Sequence, residues 1–403
     1  MKLLVFAHTP PPHHGQSYMV QLMLAGFGGD ARKNQAGTAG NRFGIECYHV
    51  NARFSRALAD VGEFQGVKML LVFWFCAQAV WVRFRHGVDN LYYVPAPGKR
   101  VALYRDWLVM LLCRPFFKRV ILHWHAAGLA KWLESEASIH TRSLTYRLFR
   151  PVGMSIILSR YNLADAQKLL SHRVSVVPVG IPDPCPDFTG SVLPQRLARL
   201  AARRQWFAGQ PAAPGTEVVN VLYLALVSRE KGVFDAVAGV ARANADMAGR
   251  NLKLRFHLTV VGAFASDDEE RGLRAMLEQN RWQAQVGLLG FVSAARKAQE
   301  LRAADIFCFP TYYLAENQPG NLIEAMAYGL PIVTTRWRSI PEMLPENYPG
   351  LVDPRSPAQV ADALVRLCLR DDAAALRGIF LERSTLEKHL AGMAAAIRAG
   401  AQD

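Results

Sequence analysis

The stretch IFCFPTYYLAENQPGNLIEAMAYGLPIVTT, residues 306–335, decides the fold. Ile306 to Phe309 is a short apolar run that reads as a buried strand. Pro310 to Pro319 reads as a loop. Gly320 to Tyr328 then places Leu322, Ile323 and Met326 at helical spacing. Gly329 is positioned to end that helix in the left-handed conformation, and Pro331 blocks its continuation. A second apolar run, Pro331 to Thr334, follows. Strand, loop, helix and strand make a βαβ unit whose loop lies at the carboxyl end of a strand. Open α/β sheets bind ligands there.

The residues in that loop suit a phosphorylated ligand. Backbone amides from Gln318 to Leu322, with Gly320 and Asn321 between, open a helix and form an anion site. Gly320 permits close approach of a ligand to the backbone. Glu316 and Glu324 bracket the site; as acceptor-only carboxylates they suit paired sugar hydroxyls. On spacing alone they could equally serve the helix dipole or remain solvated. A second candidate follows the apolar run Val219 to Leu226, where Arg229, Lys231 and Gly232 precede a helix. Lys231 could neutralise a diphosphate and Arg229 could assist as a bidentate donor, or the segment could be a solvated turn. Gly262, after the run Leu258 to Val261, marks a tight turn. Phe291, within Gly290-Phe-Val292, is a candidate slot for a base or a core residue.

Further short apolar runs occur at Lys2 to Ala7, Arg119 to Leu122, Ser155 to Leu158 and Val174 to Val177, with helical stretches between. This alternation predicts an α/β protein with parallel sheets covered on both faces. Proline-rich Pro178 to Pro186 breaks the rhythm and suggests a boundary near residue 185. The expected organisation is a Rossmann-like domain over 1–185, a second over 186–375, and a helical segment over 376–403 that could pack back on the first.

Charge divides at the same place. The 403 residues carry a net +14, yet residues 1–185 hold 22 Lys and Arg against 10 Asp and Glu, so +12. A partner met by the first half is implied. The 51% hydrophobic share excludes a disordered chain. The six cysteines are scattered without a C-x-x-C pair, which argues against a zinc ribbon or disulfide scaffold and for a reducing compartment. Leu3 to Ala7 is too short for the apolar region of a signal peptide. Val67 to Val82, about 16 apolar residues with one lysine, falls short of a membrane span and predicts a buried or interfacial helix. Asp267 to Glu270 is the one acidic cluster and reads as a solvated turn in a polar loop; no metal site is predicted.

The sequence resembles retaining glycosyltransferases of family 4. Glu316-x7-Glu324, continued by Ala325-Met-Ala327, Gly329 and Pro331, is the most specific match. Weaker matches are Lys231-Gly232, Ala304-Asp305, Ile340-Pro-Glu342, the opening Pro11-Pro12-x-x-Gly15, and Val177-Pro178-x-Gly180. The resemblance implies a GT-B fold, two Rossmann-like domains facing a central cleft, and transfer of a sugar from a UDP- or GDP-linked donor with retention, without a metal or other cofactor. It implies that Glu324 binds the ribose, Glu316 positions the donor sugar, and Lys231 with the Gly320 and Asn321 amides neutralises the leaving diphosphate. Gly15 would let its loop approach the donor phosphate and the acceptor. A histidine, His125 rather than His123, would face the donor sugar. The sequence departs from the family at Gln16, Val179 and Arg338-Ser339, where the family has glycine, asparagine and a glycine pair, and Arg229 is an inexact substitute for the family's arginine.

In such enzymes the first domain takes the acceptor. The resemblance therefore implies a glycan or lipid-diphosphate acceptor in cell-surface polysaccharide synthesis. Val67 to Val82 and Trp107 to Phe117 are apolar, aromatic and edged by Arg83, Arg85, Arg114 and Lys118. That pattern suits the anionic inner face of the cell membrane and a cytoplasmic, peripheral protein. Two other classes stay open at this stage: a sugar-nucleotide epimerase of the same fold, and a non-catalytic basic protein binding lipid or nucleic acid. No nucleic-acid-binding motif is present, so nucleic acid is not expected as a partner.

Overall fold

A computed structural model describes residues 1–11, 15–33, 42–54, 66–96, 98, 100–150, 152–169, 171–211 and 213–401. Pro12 of the opening motif lies outside the described residues. The chain divides into unit 1, Met1–Gly180 with Leu386–Asp403, and unit 2, Ile181–Thr385.

In unit 1 the order is β1 (Lys2–Phe6), α1 (Gly15–Gly26), β2 (Glu46–Val50), α2 (Gly66–His86), β3 (Asn90–Tyr93), α3 (Arg100–Cys113), β4 (Arg119–Trp124), α4 (Leu129–Ser135), α5 (Ile139–Phe149), β5 (Val152–Ile157), α6 (Leu163–Lys168) and β6 (Ser171–Val176). The strands form one parallel sheet, β2-β1-β3-β4-β5-β6. Strand side chains alternate between faces. Leu4 and Phe6 of β1 therefore join the core with α2 and α3, while Leu3 and Val5 face the opposite core with α1. Burial on both faces explains why β1 reads as a continuous apolar run.

Unit 2 continues with α7 (Leu193–Phe207), β7 (Val218–Leu224), α8 (Val233–Gly249), β8 (Arg255–Val261), α9 (Asp267–Gln279), β9 (Val286–Gly290), α10 (Ala294–Ala303), β10 (Ile306–Phe309), α11 (Gly320–Ala327), β11 (Ile332–Thr335), β12 (Leu351–Val352), α12 (Pro357–Leu367) and α13 (Ala373–Arg383). Its sheet runs β12-β11-β10-β7-β8-β9. Read from β9, this is the 3-2-1-4-5-6 order of a doubly wound fold, and it reverses between β7 and β10. A last helix, α14 (Leu386–Ala399), returns to unit 1, where Leu390, Met393 and Ile397 complete the core beside α1.

The division falls at Gly180, five residues before 185, because the proline-rich stretch is anchored in unit 2. Pro184 O accepts from Tyr328 Oη at 2.8 Å, and Asp183 pairs with Arg377. The returning segment likewise begins at Leu386 rather than at 376, since α13 belongs to unit 2. Asp267 to Glu270 is not a loop. It is the first turn of α9, capped by Ser266, whose Oγ accepts from the Glu269 amide. Four carboxylates at a helix N-terminus favour the dipole. Among the described residues no helix is long and apolar enough to cross a membrane.

Candidate functional site

The site grows from the switch point of unit 2. The segment after β7 carries Lys231, and the segment after β10 carries Glu316. They meet where the strand order reverses: Lys231 Nζ donates to Glu316 Oε2 at 2.6 Å. Both side chains are mostly buried, at 19% and 11% exposure. Thr311 Oγ1 donates to the same carboxylate oxygen at 3.3 Å. The Lys231 ammonium also lies 4.5 Å from the Tyr313 ring centroid, a cation–π distance. Burial, and then the Glu316 carboxylate, push the Tyr313 phenol above its ordinary pKa.

Backbone contacts fix this meeting. Tyr312 N donates to Glu230 O at 2.9 Å. Gly232 has φ +84°, and a Cβ there would lie 2.2 Å from Pro310 O. Only glycine allows the β7 loop to pass so close beneath the β10 loop. The β10 loop is held from its other side. Thr335 Oγ1 donates to Thr311 O, Trp337 Nε1 donates to Tyr313 O at 2.8 Å, and Ser339 Oγ lies against Asn317. Ser339 stands where the family pattern has glycine, and it holds the loop that carries Glu316.

Helix α11 opens beside this pair. Asn321 Nδ2 donates to Leu224 O at the end of β7, 2.8 Å away, tying the helix N-terminus to the switch point. The Leu322 amide is already engaged, by Pro319 O at 3.1 Å and Asn321 Oδ1 at 2.8 Å. The Gly320 and Asn321 amides are thus the leading donors of the helix. A Cβ on Gly320 would meet no atom within 4 Å, so packing within the chain does not require glycine there. The far end closes with Gly329 at φ +62° and with Leu330 N donating to Ala325 O, the left-handed termination expected.

Glu324 lies one turn into α11 and accepts from Lys297 Nζ of α10 at 2.6 Å. Sequence reading missed Lys297, because its helix follows β9, a glycine-bearing edge strand that carries little periodic signal. Each glutamate of the motif is therefore matched to a lysine from another segment. Such partly buried pairs remain strong because solvent screens them poorly.

The other expected residues fall as follows. The Arg229 guanidinium lies over the Phe234 ring at 3.8 Å, and its amide donates to Glu269. The structure thus gives the side chain an aromatic partner beside the Lys231 loop. Phe291 is 86% exposed, which removes the core alternative. In unit 1, Gly15 opens α1, and a Cβ there would meet nothing within 4 Å. His125 stands one residue past the end of β4, its ring 4.1 Å from that of His123. His123 lies inside the strand at 1% exposure and shares a 2.6 Å hydrogen bond with Tyr92. Burial, then His125 and His389, hold its pKa well below the ordinary histidine value.

Residues 219–370 match the family model "Glycosyl transferases group 1". The putative colanic acid biosynthesis glycosyltransferase WcaL of Escherichia coli is 25% identical over 167 residues, 40% of this chain and 39% of that protein. The amylovoran biosynthesis glycosyltransferase AmsK of Erwinia amylovora is 27% identical over 176 residues, 42% of this chain and 40% of that one. The matches span about two fifths of the length of these relatives. Among solved structures, Anabaena Alr3699/HepE in complex with UDP superposes with a TM-score of 0.62 at 15% identity, covering 99% of this chain and 100% of that one. The chain has the α/β fold of GT-B glycosyltransferases, and residues 219–370 of its second unit are similar to the glycosyl transferases group 1 family.

Proposed function

We propose that the protein is a glycosyltransferase that moves a sugar from a nucleotide-sugar donor to a glycan or lipid-diphosphate acceptor in cell-surface polysaccharide synthesis, with retention and without a metal. The observation that carries this reading is the Lys231–Glu316 pair across the switch point, beside the open end of α11 and Glu324. Glu324 accepts from the ribose hydroxyls. The Gly320 and Asn321 amides and Lys231 face the diphosphate. When the bond from the anomeric carbon to the phosphate oxygen breaks, its electron pair stays on that oxygen, and Lys231 and the amides stabilise the charge. The acceptor oxygen bonds to the anomeric carbon on the same face and passes its proton to the leaving phosphate. Glu316 holds Lys231 in place and positions the donor sugar. The similarity to AmsK and WcaL supports the polysaccharide setting, and the UDP complex of the Anabaena neighbour supports a nucleotide donor. The excess positive charge of unit 1 supports an anionic acceptor and peripheral action at the inner face of the cell membrane.

The test is a thermal-shift screen of UDP- and GDP-sugars, followed by release of nucleoside diphosphate with and without acceptor lipid. One nucleotide should raise the melting temperature by mass action, and release should require acceptor. Epimerised donor sugar without transfer, or no nucleotide effect at all, would overturn the reading.

A further inference from the structure

Helix α2 is apolar on two opposite sides. Val72, Cys76, Ala79 and Val82 are 0–2% exposed and lie in the core beside β1 and β3. On the other side Leu70, Trp74, Trp81 and Phe84 are exposed at 71, 61, 58 and 66%. At about 100° per residue these four share one stripe along the helix. A helix packed on a sheet ordinarily presents polar residues outward. This stripe meets its first charge at Arg85. It continues onto the neighbouring helix through Leu111, 57% exposed, and Phe116, whose ring lies edge-on to Phe84 at 5.9 Å. Contiguous exposed apolar surface of this kind marks an interaction site.

Charge identifies the occupant. On this side of the sheet Glu134 of α4 is paired with Lys168 and Asp165 of α6 is buried, while α2, α3 and α5 contain a single acidic residue, Asp106. It is fully buried, accepting from Tyr93 Oη and paired with Arg105. At the rim Asp89 is taken up by Arg83 and Lys118. A second copy of this chain would set cations against cations. An anionic bilayer meets the same rim with phosphates, and tryptophan with cationic neighbours is suited to the interfacial layer. The core face excludes spanning, so α2 can only lie flat.

We propose that the outward stripe of α2, extended by Leu111 and Phe116, seats unit 1 in the interfacial layer of an anionic membrane. Trp74, Trp81 and Phe84 enter the first acyl carbons, and Arg85 and Lys118 meet lipid phosphates. For its purpose this rests on the reading of a membrane-borne acceptor above; the surface itself belongs to unit 1 alone.

The test is flotation of the full chain with phosphatidylcholine vesicles, with and without phosphatidylglycerol. Anionic vesicles should carry the protein, high salt should weaken binding, and tryptophan emission should shift to the blue. The triple variant Trp74→Ser, Trp81→Ser, Phe84→Ser should lose more than about tenfold in binding, while circular dichroism shows it folded. The variant Arg85→Glu, Lys118→Glu, with the aromatics intact, should lose the preference for anionic lipid. No flotation, or unchanged flotation of the folded triple variant, overturns the proposal. So does a concentration-dependent dimer that the triple variant abolishes. Nucleotide-induced stabilisation reports separately on unit 2. Its survival beside failed flotation would leave the donor reading standing, and its loss beside successful flotation would do the reverse.

Discussion

Unit 1 carries 24 Lys and Arg against 11 Asp and Glu; unit 2 carries 23 against 22. Both are built on a six-stranded parallel sheet. Their helices differ in the side turned away from the core. Helix α8 of unit 2 buries Val233, Val237, Val240 and Met247 and turns Arg242, Ala245 and Ala248 outward. Helix α2 of unit 1 buries one apolar side and exposes another. Cations differ in the same way. In unit 2, Lys231, Lys297, Arg203, Arg302 and Arg377 each sit against a carboxylate of the same unit. Unit 1 has a surplus that its own acids cannot match. On the proposed reading, the same architecture places single groups for a small ligand in one unit and spreads charge and apolar area for an extended surface in the other.

The largest effect should come from breaking the placed groups of unit 2. Glu324→Ala and Lys231→Ala should each lower kcat/KM by about 10²–10³, the scale of removing one preorganised charge-stabilising group. The folded triple variant of α2 should keep its turnover on a soluble acceptor. Near-normal transfer by either site variant, measured as nucleoside diphosphate release, would show that the ion pairs of unit 2 are structural only.

Next in size is Lys297→Ala. Lys297 donates to Glu324, the residue proposed to bind the ribose, so on that reading it is a positioning residue. Its removal should raise the donor KM about tenfold, the scale of a charge-assisted hydrogen bond, with kcat nearly unchanged. Lys297→Arg should restore most of the affinity. A fall in kcat with KM unchanged would contradict the positioning role.

The parts that were legible in sequence are those with a local cause. The run from 306 to 335 carries a helix stop at Gly329 and two apolar strands, and both appear as read. Strands β2, β3, β9 and β12 were not seen. Each is short or broken by a polar residue or glycine, and the sheet neighbours that bury them come from distant sequence. The same reason hid the ion pairs. Glu316 and Glu324 were visible as a motif, but Lys297 is 27 residues from its partner and Lys231 is 85. The meaning of Ser339, in a position where the family pattern has glycine, appears only when its hydroxyl is seen against Asn317.

The smallest effect separates the units by pH. Ten of the eleven histidines lie in unit 1 and only His257 in unit 2. Burial is the largest cause lowering the pKa of His49, His123 and His389; His125 and His389 lower that of His123 further, while the carbonyls of Ala7 and Pro178 partly offset it at His49 and His389. His389 Nδ1 donates to Pro178 O at 2.7 Å, and its buried Nε2 has no partner, nor has that of His123. A second proton would therefore sit on a nitrogen with no acceptor. The folded unit disfavours protonation of these rings, whereas the unfolded chain protonates them near the ordinary value of about 6.5. The unfolded state then binds more protons, so the stability of unit 1 is whole above that pH and falls as pH drops below it. In unit 2 the lowered carboxylates Asp183 and Asp187 lose their contribution only at lower pH, and buried Asp235, raised instead, works in the opposite direction. Hydrogen exchange resolved by peptide between about pH 7.5 and 5.5, corrected for intrinsic rates, should show unit 1 losing protection first. His389→Gln, which can still donate to Pro178 O, should flatten that slope. Loss of protection in unit 2 first would mean that the histidines do not set the acid limit of the fold.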